Sequence, residues 1–498
     1  MLTSADFVVI ALYAVLMTWI GIQAKRRATG VDAYFAAGHS LPWWMAAISH
    51  HVSGYSAVVF VGFAGRAASA GFSIWTLFSV STFIAMMTAC ILWAPRWSRL
   101  KVLTPVEYLE QRYNNAVRAL VAVCGIGVKF IDLGIKLYAI SIVVQVVTGW
   151  PLMPVIAIGG LITIAYVLIG GLWATVLTDV AQFFIQLFLS TIVVIIVLGE
   201  VGGWSGIWSQ LPPERYALFN AGAGLGVDFW FVLMLITVLS YSGATWGLAQ
   251  RFIAVEKPRE AQKAALFSGI LYLFYPLVIF IPAWAAPLML PEHFDPATLL
   301  PLAGFDPQQI YVLVAQKVLD GLAPGLIGLL ICSMFAATMS MIDSDINSLA
   351  AVFTKDIYQR NFGQDTSDAK LFRVGMYSTI VFGLAVLATS IWVSQSEGTE
   401  KVFKKTIELF SALLPPVGIP LMFGMVWKRT TARGAILSLV GGFLTFAALK
   451  SFYPDDFVIY TGGEVLASLL IFFGEGFIGK RSAEKEREVE ELFSRLEP

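Results

Sequence analysis

The stretch "AISHHVSGYSAVVFVG" (47–62) decides how the rest of the chain is read. Its flanks are apolar enough to cross a bilayer, yet two adjacent histidines, three serines and a glycine fall in its middle. Glycine and serine let a backbone leave helical geometry. At membrane depth, irregular backbone survives only where protein or a wet cavity surrounds it. Carbonyls freed there can coordinate a cation or hold a solute. A second stretch, "SYSGATWGLAQ" (240–250), repeats the pattern through Gly243 and Gly247, five helices further on. Close helix packing also selects small residues. The paired placement instead favours a binding site, because discontinuous helices in corresponding halves mark the midplane site of inverted-repeat transporters.

Composition sets the frame for that reading. The 498 residues are 58% hydrophobic and 13% charged, with mean hydropathy +0.76, against about 25% charged in a soluble domain. The chain is therefore an integral membrane protein, embedded in the lipid bilayer. Zero net charge argues against a nucleic-acid partner. The three cysteines, Cys90, Cys124 and Cys332, lie inside apolar segments without metal-ligand or CxxC spacing. No nucleophile–base or metal constellation of an enzyme is visible.

A helix needs roughly 20 apolar residues to span the hydrocarbon. By that rule about thirteen spans are expected, at 5–23, 43–65, 71–94, 119–148, 152–170, 174–199, 228–250, 264–288, 323–350, 374–394, 405–427, 432–450 and 460–478. The first is flanked by Asp6 before and by Lys25, Arg26 and Arg27 after, the reverse of a signal peptide, so it is read as a retained helix. Basic links carrying Lys25–Arg27, Arg96–Lys101, Arg251–Lys263, Lys355–Arg360, Lys428–Arg433 and Lys480–Arg481 fall on one side. Links 201–227 and 289–322 are nearly free of Lys and Arg, although 395–404 adds Lys401 and Lys404. The positive-inside rule then places the N-terminus outside and the C-terminus in the cytoplasm of a multi-pass cell-membrane protein. The tail 480–498 reads as a charged, weakly amphipathic and solvated cytoplasmic helix.

Five runs carry a resemblance to a known family. They are "GGLWATVLTDVAQFFIQ" (170–186), "SMFAATMSMIDSDINSLAAVFTKDIY" (333–358), "GHSLPWW" (38–44), "TPVEYLEQRY" (104–113) and "QRFIAVEKPREAQKA" (250–264). Together they resemble the sodium/solute symporter family, in particular its bacterial sodium–galactose and sodium–sialic acid symporters. The resemblance implies an all-α, LeuT-type 5+5 inverted-repeat core and alternating access driven by sodium, with no other cofactor. It implies one transporter domain, 1–479. Residues 5–23 form an extra N-terminal helix, 43–199 a first repeat, 228–427 a second, and 432–478 two C-terminal helices. The expected working unit is a monomer.

The resemblance also carries site residues. The family's common sodium site maps to Val52, Tyr55, Ala337, Ser340 and Met341. Sodium is a hard cation that prefers oxygen, by the logic of other hard ions, so the Met341 thioether departs from the Ser or Thr usual there. A second sodium site maps to Asp179, Asp343 and Ser344, with one hydroxyl replaced by a carboxylate. On a helix, Ser340, Asp343, Ser344 and Asn347 share a face; Asp345 lies about 200° from Asp343, outside that set. Charged residues inside a span are functional by default, and two close carboxylates suit a sodium ion or a proton.

Substrate positions follow in the same way. Ser56, Val59, Tyr241 and Ser242 lie on the broken helices, and His51 just before the first break. Tyr272 stands where a relative has a lysine. In the third core helix Lys129, Asp132 and Lys136 fall at i, i+3 and i+7. Asp132 either neutralises those neighbours or accepts hydrogen bonds from sugar hydroxyls. A lone carboxylate substrate fits only if Lys136 faces the cavity. His50 and His51 point about 100° apart, so at most one serves a cavity. The expected function is sodium-coupled import of a small polar solute, sugar- or polyol-like. A proton-coupled carrier and a symporter of an amino acid or carboxylate are the alternatives. A transporter-fold sensor would need an output domain, for which residues 479–498 are too few.

Overall fold

The computed structural model describes residues 2–25, 31–167, 171–363, 366–395 and 401–497. Arg26 and Arg27 of the first basic link, Gly170 of the family-like run, residues 168–170 of the fifth expected span and 396–400 of the short link lie outside the described residues. Each of the thirteen apolar stretches is mainly helical where described. Among the described residues ten helices are long and apolar enough to cross a membrane alone, or eleven with the bent pair Val402–Leu409 and Leu414–Phe423. The other two stretches are 43–65, which is broken, and 152–167, a helix of 16 residues.

In chain order the helices are α1 (Ser4–Lys25), α2 (Trp43–Ser53), α3 (Val59–Ala70), α4 (Ser73–Leu100), α5 (Asn115–Thr148) and α6 (Leu152–Val167). Then come α7 (Leu172–Val201), α8 (Val227–Leu239), α9 (Trp246–Ile253), α10 (Pro258–Met289) and α11 (Leu326–Val352). The series ends with α12 (Asp368–Ser394), α13 (Lys401–Phe423), α14 (Ala432–Phe452), α15 (Phe457–Ile478) and α16 (Ala483–Leu496). Leu12, Phe188, Leu444 and Leu470 are exposed on outer faces, where water would penalise them and hydrocarbon does not. The helices that carry the polar stretches are instead enclosed. All of Ala336–Val352 on α11 is buried.

Both breaks fall where the glycine and serine stretches stand. Helix α2 stops at Ser53, and Gly54 turns back with φ −88°, ψ 6°, its N–H bonded to the His50 and His51 carbonyls. Tyr55 and Ser56 are non-helical before the chain resumes toward α3. The freed backbone finds side-chain partners, as membrane depth requires. The Ala57 N–H donates to Thr338 Oγ1 of α11 at 3.1 Å, and Tyr241 OH donates to the Gly54 carbonyl at 2.7 Å. Between α8 and α9, Gly243 takes φ +136°, a conformation that L side chains rarely adopt, and Thr245 is extended. A Cβ at Gly243 would lie 2.4 Å from Trp97 Nε1.

The tail differs from the solvated helix expected of it. Helix α16 is amphipathic and buries Val489, Leu492, Phe493 and Leu496. Arg99 donates to the Leu496 carbonyl at 2.9 Å, and the Arg112 guanidinium lies 5.8 Å from the Phe493 ring. Four apolar residues at helical spacing gain by leaving water, which outweighs the solubility of the charged face.

Candidate functional site

The two breaks are stitched to each other. Besides the Tyr241–Gly54 bond, His50 Nε2 lies 3.2 Å from the Tyr241 carbonyl, and Tyr272 OH donates to the His50 carbonyl at 2.8 Å. His50 Nδ1 meets Ser268 Oγ at 3.2 Å, so its ring is occupied as a structural link. His51 lies in an aromatic enclosure with ring centroids of Tyr272 at 4.7 Å, Tyr275 at 5.0 Å, Tyr55 at 5.3 Å and Phe183 at 5.9 Å. Neither of its nitrogens has a partner among the described residues.

Around the first break lies a buried oxygen cluster drawn from three helices. Ser53 Oγ of α2 is 3.3 Å from Ser340 Oγ and 3.1 Å from Ser344 Oγ of α11. Asp179 of α7 accepts from Ser49 Oγ and, at 3.4 Å, from Ser53 Oγ through its Oδ2. Asp343 accepts from Thr175 Oγ1 at 2.7 Å. Ala337 and Met341 lie on α11 with Ser340, all three buried. The carbonyl of Val52 belongs to the last turn of α2, where no further helical N–H follows to bond it; Tyr55 lies in the break itself.

Arg251 was read from the sequence as part of a cytoplasmic basic link, and here the structure corrects that reading. Its side chain is fully buried. Its Nε donates to Ser49 Oγ at 3.0 Å, Nη1 to the Gly247 carbonyl at 2.8 Å, and Nη2 to Ser53 Oγ at 2.9 Å. Nη2 also donates to Ser344 Oγ and reaches Asp179 Oδ2 at 3.3 Å. The sequence did hold a signal. Arg251 follows Gly247 by one turn, and Phe252 and Ile253 continue the helix beyond it, whereas Lys257, Arg259 and Lys263 come after that helix has ended. The guanidinium uses one oxygen of Asp179; Asp179 Oδ1 and Asp343 Oδ1 are both buried without a partner among the described residues. Two carboxylates face one guanidinium, so the cluster carries one net negative charge when both are ionised.

A second charged group lines α5. Lys129 Nζ lies 3.0 Å from Asp132 Oδ2 and 2.9 Å from Asp345 Oδ2; Lys136 Nζ lies 2.6 Å from Asp132 Oδ2 and 3.7 Å from Asp345 Oδ2. Asp345 thus points to α5, away from the face of Asp343. A cavity of about 70 Å³ opens beside the breaks. Of the sequence-derived substrate residues, Ser56, Val59 and Tyr241 line it, together with Gly54, Lys136 and Met341. Asp132 lies behind Lys136 and is not in its wall, nor are His51 and Ser242. Ser242 donates to the Ala85 carbonyl at 3.2 Å.

Broken helices that cross-bond over a buried, charge-bearing oxygen cluster define a multi-pass secondary transporter of the LeuT-type inverted-repeat fold. The chain belongs to the sodium:solute symporter family, whose profile matches residues 34–442. It is 28% identical to a sodium/glucose cotransporter of Vibrio parahaemolyticus, over 91% of this chain and 86% of that one. It is 27% identical to the sodium/sialic acid symporter NanT of Aliivibrio fischeri, over 91% and 89%. In fold it is similar to the solved structure of a Na+-coupled sialic acid symporter, with TM-score 0.81 and 20% identity over 97% and 99% of the chains. A nucleobase-cation-symport-1 family transporter shares the fold with TM-score 0.61 and 12% identity, over 92% and 98%.

Proposed function

We propose that this chain imports a small polar organic solute down a sodium gradient by alternating access, working as a monomer in the cell membrane with its N-terminus outside and its C-terminus in the cytoplasm. The repeats are 43–199 and 228–427, each opening on a broken helix. The observation that carries the reading is the buried cluster of Asp179, Asp343, Arg251, Ser53, Ser340 and Ser344, in which two carboxylates outnumber one guanidinium, a balance that suits a monovalent cation in a low-dielectric interior. Sodium as transported ion is held at the common site by the Val52, Tyr55 and Ala337 carbonyls and Ser340 Oγ. A second position lies at the unpartnered oxygens of Asp179 and Asp343. The relatives named for glucose, sialic acid and myo-inositol support a carbohydrate-like solute.

Alternating access follows from the stitching. Tyr241 OH on Gly54 and Arg251 on Ser49 and Ser53 tie the broken helix of one repeat to that of the other, and Arg251 also reaches Asp179 of the first repeat and Ser344 of its own. Opening either side of the site requires those bonds to break. An ion in the oxygen cluster changes their balance.

Proton coupling is a second reading, favoured by Met341 in the common site and by the free oxygen of Asp343. Uptake into proteoliposomes under separate sodium and proton gradients decides between the two. Accumulation driven by sodium alone, with Ser340→Ala raising the sodium needed by about tenfold, is the expected result. Accumulation that ignores sodium and collapses with the proton gradient would overturn it.

A further inference from the structure

The ends of α13 and α15 and the start of α14 meet in a patch far from the oxygen cluster. Thr430 Oγ1 donates to the Phe472 carbonyl at 2.7 Å, and the Thr431 N–H to Glu475 Oε2 at 2.9 Å. These bonds pin the link after α13 to the last turns of α15. Trp427 and Phe477 stand beside each other there, with ring centroids 5.7 Å apart. The Arg429 guanidinium lies 5.4 Å from the first ring and 5.6 Å from the second. Thr431 brings two more bases to the spot. Arg433 follows it by two residues in the first turn of α14. Lys480 follows Gly479, where a Cβ would lie 2.6 Å from Thr431 Cγ2. Arg429, Arg433 and Lys480 are exposed, and none makes an ion pair or hydrogen bond among the described residues. Their basic neighbours are matched: Lys428 pairs with Glu490 at 2.9 Å and Arg481 with Glu486 at 3.4 Å. Glu475 is buried and engaged by Thr431. Five bases against these three acids leave a surplus of two positive charges.

Beside those charges, Phe477 and Ile478 are exposed at the very end of a membrane-spanning helix. The patch thus offers a cation for an anion and, within one turn, an apolar surface that water would penalise. A guanidinium steadied on two rings is pre-organised for the two-pronged bond to phosphate. Basic pockets between spans are also where anionic headgroups bind. We propose that this patch binds one anionic glycerophospholipid of the leaflet that faces it. The phosphate lies on Arg429, with Arg433 and Lys480 beside it, and the acyl chains run along Phe477 and Ile478. Free phosphate would answer the charge and leave the apolar rim in water. A zwitterionic lipid would cover the rim but bring its own cation to a patch already positive. Helix α13 closes the second repeat, whereas α14 and α15 lie outside both repeats. A headgroup shared by Arg429, Arg433 and Lys480 therefore fastens the two outer helices to the core.

The lipid site is independent of the solute and of the coupling ion. Its test is thermal stabilisation of the purified, delipidated full-length protein in uncharged detergent micelles. The probes are phosphatidylglycerol, phosphatidylcholine with the same acyl chains, and inorganic phosphate. The expected result is a Tm that rises with phosphatidylglycerol and hardly with the other two. The rise should fade in about 0.5 M potassium chloride, which screens exposed charges. Arg429→Gln with Lys480→Gln should weaken phosphatidylglycerol binding about 25-fold, roughly fivefold for each charge removed. Lys257→Gln with Arg259→Gln takes two exposed charges from another basic link and should change that binding less than about twofold. Native mass spectrometry provides a count that does not depend on Tm. Wild type should retain one more phosphatidylglycerol than the Arg429/Lys480 double variant, and this count decides should that variant lose stability without lipid. Equal stabilisation by phosphatidylcholine, the same effect from inorganic phosphate alone, equal weakening in the two double variants, or equal retained lipid would each overturn the proposal.

Discussion

Replacing Arg251 by Met tests the clamp between the repeats. The guanidinium and the Asp179 carboxylate are both fully buried, and the side chain donates to Ser49, Ser53, Ser344 and the Gly247 carbonyl as well. Met fills similar space but strands Asp179 with serine hydroxyls alone. Removing one partner of a buried pair costs about 3–5 kcal/mol, because the remaining charge is uncompensated. Removing both charges, as in Arg251→Met with Asp179→Asn, leaves only neutral hydrogen bonds to lose and should cost about 1–2 kcal/mol. The double variant should therefore be more stable than the single one by roughly 2–3 kcal/mol. The measurement is an equilibrium denaturant titration of the four proteins in mixed micelles, read as a double-mutant cycle. Sodium should stabilise Arg251→Met more than wild type, since two carboxylates then lack any counter-charge. A single variant costing less than about 1 kcal/mol, or costs that simply add, would refute the argument that the clamp is an electrostatic pair.

Two further outcomes concern backbone and pH. In Gly54→Ala the new Cβ would lie 1.8 Å from the Tyr272 hydroxyl oxygen and 2.9 Å from Tyr241 Cε1. Uptake should fall by more than about tenfold, with partial recovery on adding Tyr272→Phe; unchanged uptake in the single variant would show that the break tolerates a side chain. Outside the membrane, burial works to raise Glu110, but hydrogen bonds from Arg360 and Arg118 outweigh it and hold its carboxyl below the usual carboxylate range. Its contribution to stability is complete above an unfolded value of about 4.3 and is lost as pH falls through the lower folded value. The Tm advantage of wild type over Glu110→Gln should therefore shrink between neutral and acid pH, and a constant gap would count against the assignment.

Local chemistry was readable in the sequence; long-range pairing was not. The breaks at Gly54 and Gly243 were legible because glycine and serine in an apolar run have few other uses. The separation of Asp345 from Asp343 followed from helix geometry alone. Arg251 was hidden by company: six residues before a true run of surface lysine and arginine, it looked like one of them. The Lys129–Asp345 contact joins residues 216 positions apart, and no periodicity announces such a meeting. The sequence offered Asp132 as a cavity residue, yet the pairing holds it behind Lys136, which lines the cavity in its place. Docking of α16 was missed for a related reason. Its apolar stripe was visible, but the surface that accepts it is built from Arg99 and Arg112 of distant segments.

The α5–α11 charge quartet also bears on how the protein is made. A single charged residue near the middle of a helix raises the cost of insertion by about 2.5–3.5 kcal/mol, and α5 carries Lys129, Asp132 and Lys136. The i, i+3 and i, i+4 contacts with Asp132 relieve part of that cost within the helix itself. One positive charge remains until Asp345 arrives with α11, long after α5 has left the ribosome. Chains cut before residue 345 should therefore release α5 from the insertion machinery slowly, and Lys129→Met, which leaves Asp132 and Lys136 in balance, should speed that release. The first repeat, though made first, is completed electrically only by a residue of the second.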